Sequence, residues 1–254
     1  MDSFFKNRTI LVAVALAVAL AVFVLMFMEP TRCELRVEDL SIDQWIEDAF
    51  YWPGIHRWSI DGDSAFAKLL FYTGPKALII TLGAALGLLA LLPTKALAGV
   101  RTRCRWLPAR REAIYIVLCL ALIPAACNRL KAVTNIYCPY EDKRYDGKAP
   151  YVRLWDDYPE DFKKLQRENP KERGRGFPAG HASGGFALCA FAFTMRRRWV
   201  GFALGAGVGW WMGGYQMMKG AHYLSHTLVS WSLAVLIAFG IALIVRPGLS
   251  KKPA

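Results

Sequence analysis

The sequence lacks the regular alternation of polar and apolar residues that is typical of soluble domains. Of its 254 residues, 55% are hydrophobic, and the mean hydropathy is +0.25. The apolar residues form continuous blocks instead of recurring every three or four positions, which excludes an ordinary soluble domain. The sequence also has no internal repeat and no low-complexity linker. We therefore expect residues 1–254 to form a single domain embedded in a membrane.

Six apolar blocks predict six transmembrane helices. The first, residues 10–28, has nineteen residues without a charge, which is enough to cross about 30 Å of hydrocarbon as a helix. It exceeds the apolar part of a signal peptide, so we expect it to be retained. The predicted fold is an all-α polytopic helix bundle with a long outer loop between helices 3 and 4. The other five blocks are residues 69–92, 113–127, 181–195, 199–218 and 223–245.

Acidic residues are nearly absent from one set of connecting segments. With six spans, residues 1–9, 93–112, 196–198 and 246–254 share one side, and they hold fourteen lysines and arginines against two acids. Residues 29–63, on the other side, hold three arginines and nine acids. The positive-inside rule then places both termini in the cytoplasm. The net charge of +12 follows from this asymmetry, so we expect membrane lipids and no nucleic acid as partners.

Cysteines are too few and too scattered for a disulfide scaffold. Three of the six lie inside the predicted helices or on the cytoplasmic side. Cys33 and Cys138 both fall on the outer side, where an oxidising compartment would permit a bond between them. Cys127 is a rival partner, and two free thiols are the alternative.

Long polar segments are rare as well, and the main one is residues 128–177. It holds twelve basic residues against nine acids on the outer side, which indicates an anionic partner. Its prolines and glycines predict mostly irregular structure, with a short helix at 159–168 that Pro159 opens. Because the segment leads directly into Pro178-Ala179-Gly180-His181, we expect it to form a lid or one side of a site.

Only four histidines are present, and three of them stand where apolar runs begin. His181 ends the stretch that starts at Phe177, and His222 and His226 lie four residues apart. Histidine exchanges protons near neutral pH, and its ring nitrogens can attack an electrophile. Residues at i and i+4 share a helix face. We therefore expect three imidazoles to converge at one depth, around an anionic lipid headgroup on the outer side.

The residues around the histidines suit a phosphate. Gly174, Gly176 and Gly180 surround the start of the predicted fourth helix, where free N–H groups and the helix dipole favour an anion. Lys131 and Lys219 stand near the same interface. Charged residues at membrane depth are usually functional, although lysines near helix ends can also extend to the membrane surface.

At this point the sequence resembles the type 2 phosphatidic acid phosphatase superfamily, which includes bacterial membrane lipid phosphatases and soluble vanadium haloperoxidases. The family has the signatures Lys-x6-Arg-Pro, Pro-Ser-Gly-His and Ser-Arg-x5-His-x3-Asp. Here they align, over residues 131–226, with Lys131-x6-Cys138-Pro139, Pro178-Ala179-Gly180-His181 and Gln216-x5-His222-x3-His226. Both arginines, the serine and the aspartate of the family pattern are replaced.

The resemblance implies a role for each aligned residue. His222 would attack the phosphorus to form a phosphohistidine, and His181 would be the general acid for the leaving group. Lys131 and the backbone near Gly180 would stabilise the phosphoryl oxygens. His226 and Gln216 stand where the family has Asp and Arg. The carboxylate that would pair with the nucleophilic histidine is therefore absent, and so is an arginine that would bind the phosphoryl oxygens. Residues that would compensate are Lys219, Arg175 and Arg144. No metal and no other cofactor is implied.

The resemblance and the charge pattern together predict an enzyme of the bacterial inner membrane. It would hydrolyse a lipid phosphate or pyrophosphate at the periplasmic face, and the family suggests lipid A, undecaprenyl pyrophosphate, phosphatidate or phosphatidylglycerophosphate as substrates. One alternative is a phosphotransferase between lipids, and another is a non-catalytic binder of lipid phosphates. A zinc site at His181, His222, His226 and Cys138 is a further alternative, which the neighbouring lysines disfavour.

Overall fold

A computed structural model describes residue 15, residues 41–93, residue 104, residues 107–154 and residues 156–247. The predicted first helix, residues 10–28, lies outside these residues apart from Ala15, and so does Cys33 of the predicted disulfide. Among the described cysteines, Cys127 and Cys138 are not bonded to each other.

The described elements are mostly helical, with one small hairpin. The hairpin pairs β1 (Tyr51–Trp52) with β2 (Arg57–Trp58) in antiparallel register. The helices are α1 (Ile42–Glu47), α2 (Ala65–Lys68), α3 (Gly74–Leu91), α4 (Arg110–Thr134), α5 (Glu160–Glu168), α6 (Gly180–Phe186), α7 (Arg198–Met218) and α8 (Leu224–Val245). A π-helical turn, Leu69–Thr73, joins α2 to α3, and a 3-10 helix, Ala187–Phe193, continues α6. Shorter 3-10 turns are Asp48–Phe50, Pro53–Ile55, Pro139–Glu141, Lys143–Tyr145 and Pro170–Glu172.

Three helical stretches are long and apolar enough to cross a membrane: Ala65–Leu91, Arg110–Glu141 and Leu224–Val245. They coincide with the second, third and sixth predicted spans, and the chain is accordingly a membrane protein. Helices also occupy the fourth and fifth predicted spans. Of these, α6 and its 3-10 continuation have only seven residues each, fewer together than the roughly 20 that cross a bilayer unaided. The count of six spans therefore stays a prediction.

Helix α4 extends further than its apolar block predicts. The block ends at residue 127, but the helix continues to Thr134 and stops where Asn135 adopts a left-handed conformation with φ of 56°. Apolar content alone cannot locate this end, because the last two turns carry polar residues that remain helical at a membrane surface. The consequence is that Lys131 lies on a rigid helix and not in the outer loop.

Helix α7 packs closely against α6 and its continuation because four of its glycines form one stripe. A Cβ atom at Gly201, Gly205 or Gly209 would lie within 2.5 Å of an atom in the segment Phe186–Phe191. Small residues spaced by four allow helix backbones to approach in this way, as the sequence predicts. The fourth, Gly213, faces Thr227 of α8 in the same manner. The segment 180–193 is thus held at the centre of the bundle, between α4, α7 and α8.

Helix α1 covers the outer end of α8. Ser41 is its N-cap and accepts a hydrogen bond from the Gln44 amide at 3.1 Å. Helix α8 has no side-chain cap of its own. Asp43 supplies one from α1, because its carboxylate accepts hydrogen bonds from both the backbone N–H (2.9 Å) and the hydroxyl of Ser225. Burial raises the pKa of Asp43 to about 6, against the opposing effect of these hydrogen bonds.

Glu47, on the same helix, has no exposed surface, and neither carboxyl oxygen has a hydrogen-bond partner among the described residues. Burial, and then the charges of Asp43 and Asp48, raise the pKa of Glu47 to about 10, so the folded protein holds it protonated at neutral pH. In the unfolded chain, Glu47 releases that proton near its ordinary pKa of about 4.3. Unfolding is therefore increasingly favoured as the pH rises from about 4 toward 10.

Replacing Glu47 with glutamine is expected to stabilise the protein, because glutamine has the shape of the protonated acid and does not ionise on unfolding. We expect the Tm in detergent to rise by at least about 3 °C at pH 8, and the gain to shrink as the pH approaches 4. Thermal unfolding followed by circular dichroism between pH 4.5 and 8 measures this. A gain independent of pH would contradict the assignment of a protonated Glu47.

Candidate active site

Three of the four histidines form one cluster at the N-terminal ends of α6 and α8. The ring centroids of His181 and His222 are 5.8 Å apart, although 41 residues separate them in the chain, and those of His222 and His226 are also 5.8 Å apart. His222 and His226 are buried, and His181 is partly buried. His56 lies outside this cluster and contacts Asp146 through its Nδ1 at 2.5 Å.

Backbone hydrogen bonds bring the two histidine stretches together. The Ala179 N–H donates to the carbonyl of His226 at 3.0 Å, and the Ser230 hydroxyl donates to the carbonyl of Ala179 at 2.8 Å. Residue 179 is buried completely, and its main chain alone makes these bonds. The start of α6 is thereby fixed to the first turns of α8, which sets the position of His181 relative to His222.

The cluster contains several buried polar atoms that have no hydrogen-bond partner among the described residues. They are both ring nitrogens of His222 and the Nδ1 atoms of His181 and His226. The side chain of Gln216, on α7, is also buried without a hydrogen-bond partner among the described residues. Buried polar groups in proteins are nearly always paired, so a group of unpaired ones at a single place indicates that a ligand supplies their partners. The arrangement can accept and donate hydrogen bonds to a polar headgroup.

His222 is held in its neutral form. Burial lowers its pKa well below the ordinary value, and the positive charge of Lys131 acts in the same direction. A neutral imidazole keeps one ring nitrogen with a free lone pair, which a nucleophile requires. The backbone of Gly176, at the end of the loop before α6, acts in the opposite direction.

Lys131 projects from α4 over the start of α6. A Cβ atom at Gly180 would lie 3.5 Å from Cδ and 3.7 Å from Nζ of Lys131, and 3.0 Å from Oδ1 of Asn128. The absence of a side chain at Gly180 thus leaves room for the lysine and keeps the backbone there accessible. Among the cations near His222, Lys131 has the strongest effect.

The other predicted cations divide into two groups. Lys219 lies 5.1 Å from the Tyr215 ring centre, its charge reaches His181, and burial lowers its pKa. Arg175 is exposed, and its charge acts on Lys131. Arg144, by contrast, donates two hydrogen bonds to Asp48, at 2.8 and 2.7 Å, and so serves the contact between the outer loop and α1. The prediction that Arg144 compensates for a lost arginine is not supported by this position.

The outer loop forms one side of the site. The Asn135 side chain accepts a hydrogen bond from the Gly174 N–H and donates one to Gln166 of α5, each at 2.9 Å. The Gly176 N–H donates to the Ile136 carbonyl, so the end of the loop lies along its own beginning. Helix α5 begins at Glu160, directly after Pro159, close to the predicted helix at 159–168.

A cavity of about 320 Å³ opens beside His181 and brings in residues that the sequence patterns missed. Its polar lining consists of Lys131 and His181 together with Tyr72, Lys76 and Asn128. Lys76 is the only charged residue in the apolar block 69–92, and that isolation was the signal that could have identified it. The remaining lining is mostly apolar and lies on α3, α4, α6 and α7: Ile79, Ile80, Leu120, Pro124, Gly180, Gly184 and Met212.

The chain was compared with curated proteins, with solved structures and with sequence models of protein families. No curated protein matches the chain. Among solved structures, the chain is similar to the crystal structure of the first transmembrane PAP2 type phosphatidylglycerolphosphate phosphatase from Bacillus subtilis, with 14% sequence identity and a TM-score of 0.48 over 91% of this chain and 94% of that chain. The sequence model of the PAP2 superfamily matches residues 112–248, which is more than half of the chain and includes His181, His222 and His226. The chain belongs to the PAP2 superfamily.

Proposed function

We propose that the protein is an integral membrane lipid phosphatase, which hydrolyses a lipid phosphate or pyrophosphate through a phosphohistidine intermediate. The observation that carries this proposal is the pair of imidazoles, His181 and His222, with ring centroids 5.8 Å apart in a buried cluster next to Lys131. Two imidazoles at this separation can act on opposite sides of one phosphorus atom, one as nucleophile and one as acid.

In the first step, a ring nitrogen of neutral His222 attacks the phosphorus, and the bond from phosphorus to the leaving oxygen breaks. His181 donates a proton to that oxygen. In the second step, His181 accepts a proton from the attacking water, the bond between nitrogen and phosphorus breaks, and inorganic phosphate leaves with His222 neutral again. Lys131 and Lys219 stabilise the charge on the phosphoryl oxygens, which is the main demand in phosphoryl transfer. His226, with its ring 5.8 Å from that of His222, orients the nucleophile in place of the family aspartate.

The proposal includes the topology that the charge pattern predicts. Six helices cross the bacterial inner membrane, both termini are cytoplasmic, and residues 1–254 form one domain with its site on the periplasmic side. The apolar lining of the cavity beside His181 supports a lipid substrate, because it offers a path for a hydrocarbon chain next to the reacting groups. Substrates of this type include phosphatidate, phosphatidylglycerophosphate, lipid A phosphate and undecaprenyl pyrophosphate.

Phosphate release from a panel of these four lipids by purified protein in detergent tests the proposal. Release from at least one lipid supports a hydrolase. Transfer of labelled phosphate to a second lipid, with little free phosphate, would instead show a phosphotransferase, and binding without any product would show a non-catalytic binder. A zinc enzyme has less support, since Lys131 and Lys219 near the histidines would lie unfavourably close to a bound cation.

Removing the charge of Lys131 is expected to slow catalysis strongly. Because this lysine is the cation with the greatest effect on His222, its loss leaves the phosphoryl oxygens with less stabilisation. We expect Lys131→Gln to lower kcat about 10² to 10³-fold, the usual effect of losing one group that stabilises transition-state charge. Lys131→Arg keeps the charge and should retain more activity than Lys131→Gln. Steady-state phosphate release measures both, and equal activity of the two variants would show that the charge is unimportant.

A further inference from the structure

Lys76 is a further cation beside His181, in addition to Lys131 and Lys219, and Tyr72 lies between Lys76 and the His181 ring. Neither Lys76 nor Tyr72 belongs to the aligned signatures. The Nζ atom of Lys76 lies 3.3 Å from the Tyr72 hydroxyl, and the Tyr72 ring meets the His181 ring edge-on at a centroid distance of 4.9 Å. All three side chains line the cavity. Lys76 lies inside the apolar stretch Ala65–Leu91, where a cation is costly to keep and is usually functional.

A π-helical turn between α2 and α3 helps to position Tyr72 and Lys76 next to His181. Tyr72 lies in the π-helical turn Leu69–Thr73, and such turns often occur at functional sites. Tyr72 and Lys76 are four residues apart, so they share a face. The turn is anchored through Phe71, whose ring stacks on Trp211 and Tyr215 of α7 at centroid distances of 4.8 and 5.3 Å. The position of Lys76 at the cavity is therefore set by packing.

Three lysines from three different elements act on one imidazole. The charges of Lys131, Lys219 and Lys76 all reach His181. Within the part of the chain that the structure describes, none of the three forms an ion pair with a carboxylate. Lys131 and Lys219 are partly buried and Lys76 is exposed at the mouth of the same site. Three cations around one imidazole favour a highly charged anion as their common partner. A phosphate monoester carries about two negative charges at neutral pH, and the second phosphate of a diphosphate adds at least one more.

We propose that Lys76 and Tyr72 form a subsite for the inner phosphate of a lipid diphosphate, and that lipid diphosphates are the preferred substrates. This inference rests on the proposed phosphatase function. His181 faces the leaving group, and the cavity that holds Lys76 lies on the His181 side of the cluster, with apolar walls for the lipid chain. The nitrogen of His222 bonds to the outer phosphorus, the bridging bond breaks, and its electron pair stays on the lipid monophosphate that leaves. Lys76 stabilises that new charge.

The test compares dodecyl diphosphate with dodecyl phosphate, which have the same hydrocarbon chain and differ by one phosphate. The proteins are wild type, Lys76→Gln, Tyr72→Phe and the control Lys164→Gln, which removes an exposed lysine from α5. We expect Lys76→Gln to lower kcat/KM at least about tenfold more for the diphosphate than for the monophosphate. Tyr72→Phe, which keeps the ring but loses the contact with Nζ, should give a smaller loss of the same kind. Lys164→Gln should leave both rates within about twofold.

Equal losses of kcat/KM on the two substrates, or no loss on the diphosphate, would overturn the subsite. Titration calorimetry with inorganic pyrophosphate and inorganic phosphate provides a readout that does not depend on turnover. We expect Lys76→Gln to weaken binding of pyrophosphate more than binding of phosphate. If wild type binds pyrophosphate in this Lys76-dependent way but hydrolyses neither lipid, the phosphatase function fails and the subsite stands. If both lipids are hydrolysed and pyrophosphate binding ignores Lys76, the subsite fails and the function stands.

Discussion

Replacing His222 with alanine is expected to abolish phosphate release, with a loss of at least about 10⁴-fold in kcat. The ring of His222 is 1% exposed and lies between those of His181 and His226, and both of its nitrogens lack a hydrogen-bond partner among the described residues. In the proposed mechanism this ring forms the covalent intermediate, and its removal takes away the nucleophile. The effect is measured as phosphate release from a lipid that the wild-type protein hydrolyses. His222→Asn is measured alongside, because it removes the imidazole with a smaller change of side-chain volume and should show the same loss.

His56 offers a matched control for this prediction. It is an exposed histidine that contacts Asp146 and not the cluster, so His56→Ala should stay within about twofold of wild type. A rapid-quench experiment with labelled substrate should trap a phosphorylated protein in wild type that is stable in alkali and labile in acid, as a phosphoramidate is. His222→Ala should trap none. Retained turnover in a folded His222→Ala protein would remove the phosphohistidine mechanism.

Replacing His181 with glutamine is expected to slow hydrolysis by about 10² to 10⁴-fold for alkyl phosphates, the usual contribution of a general acid. The loss should depend on the leaving group. An alkyl oxygen needs a proton as it departs, whereas the p-nitrophenolate that leaves an aryl phosphate does not. His181 lines the cavity together with Lys131, and its Nδ1 has no hydrogen-bond partner among the described residues.

The measurement is kcat/KM of wild type and His181→Gln on dodecyl phosphate and on p-nitrophenyl phosphate. We expect the loss on the aryl substrate to be at least about tenfold smaller than the loss on the alkyl substrate. Equal losses on both substrates would assign His181 to binding or packing and not to proton transfer, since a distorted site would not distinguish leaving groups. The thermal stability of the variant in detergent provides the check on folding.

Much of the architecture could be predicted because membrane helices are specified by local composition. The apolar blocks at 69–92, 113–127 and 223–245 correspond to helices that can cross a membrane. The N-cap at Ser41 and the short helix after Pro159 follow from patterns of a few residues. The end of α4 could not be predicted, because it depends on the left-handed conformation of Asn135, whose side chain is held by Gly174 from a distant part of the loop.

The histidines could be selected from the sequence because they are rare and stand at the starts of apolar runs. Their order and spacing resemble a known family, and the match of residues 112–248 to the PAP2 superfamily agrees with that resemblance. Lys76 was not selected, although its isolation as the one charged residue in the apolar block 69–92 was a usable signal. Arg144 was selected as a compensating cation for its charge, but its partner is Asp48 of a helix that lies 96 residues earlier.

The pattern of residues along the chain was sufficient to identify the type of protein, the helices near the site and the three histidines. Hydrophobic length and motif spacing are properties of neighbouring residues, so they are readable without a structure. Tertiary structure alone decided that Asp43 caps α8, that Tyr72 lies against His181 and Lys76, and that glycines of α7 let it approach the segment Phe186–Phe191 and α8. These contacts join residues that are distant in the chain, and their geometry depends on how whole helices pack against each other.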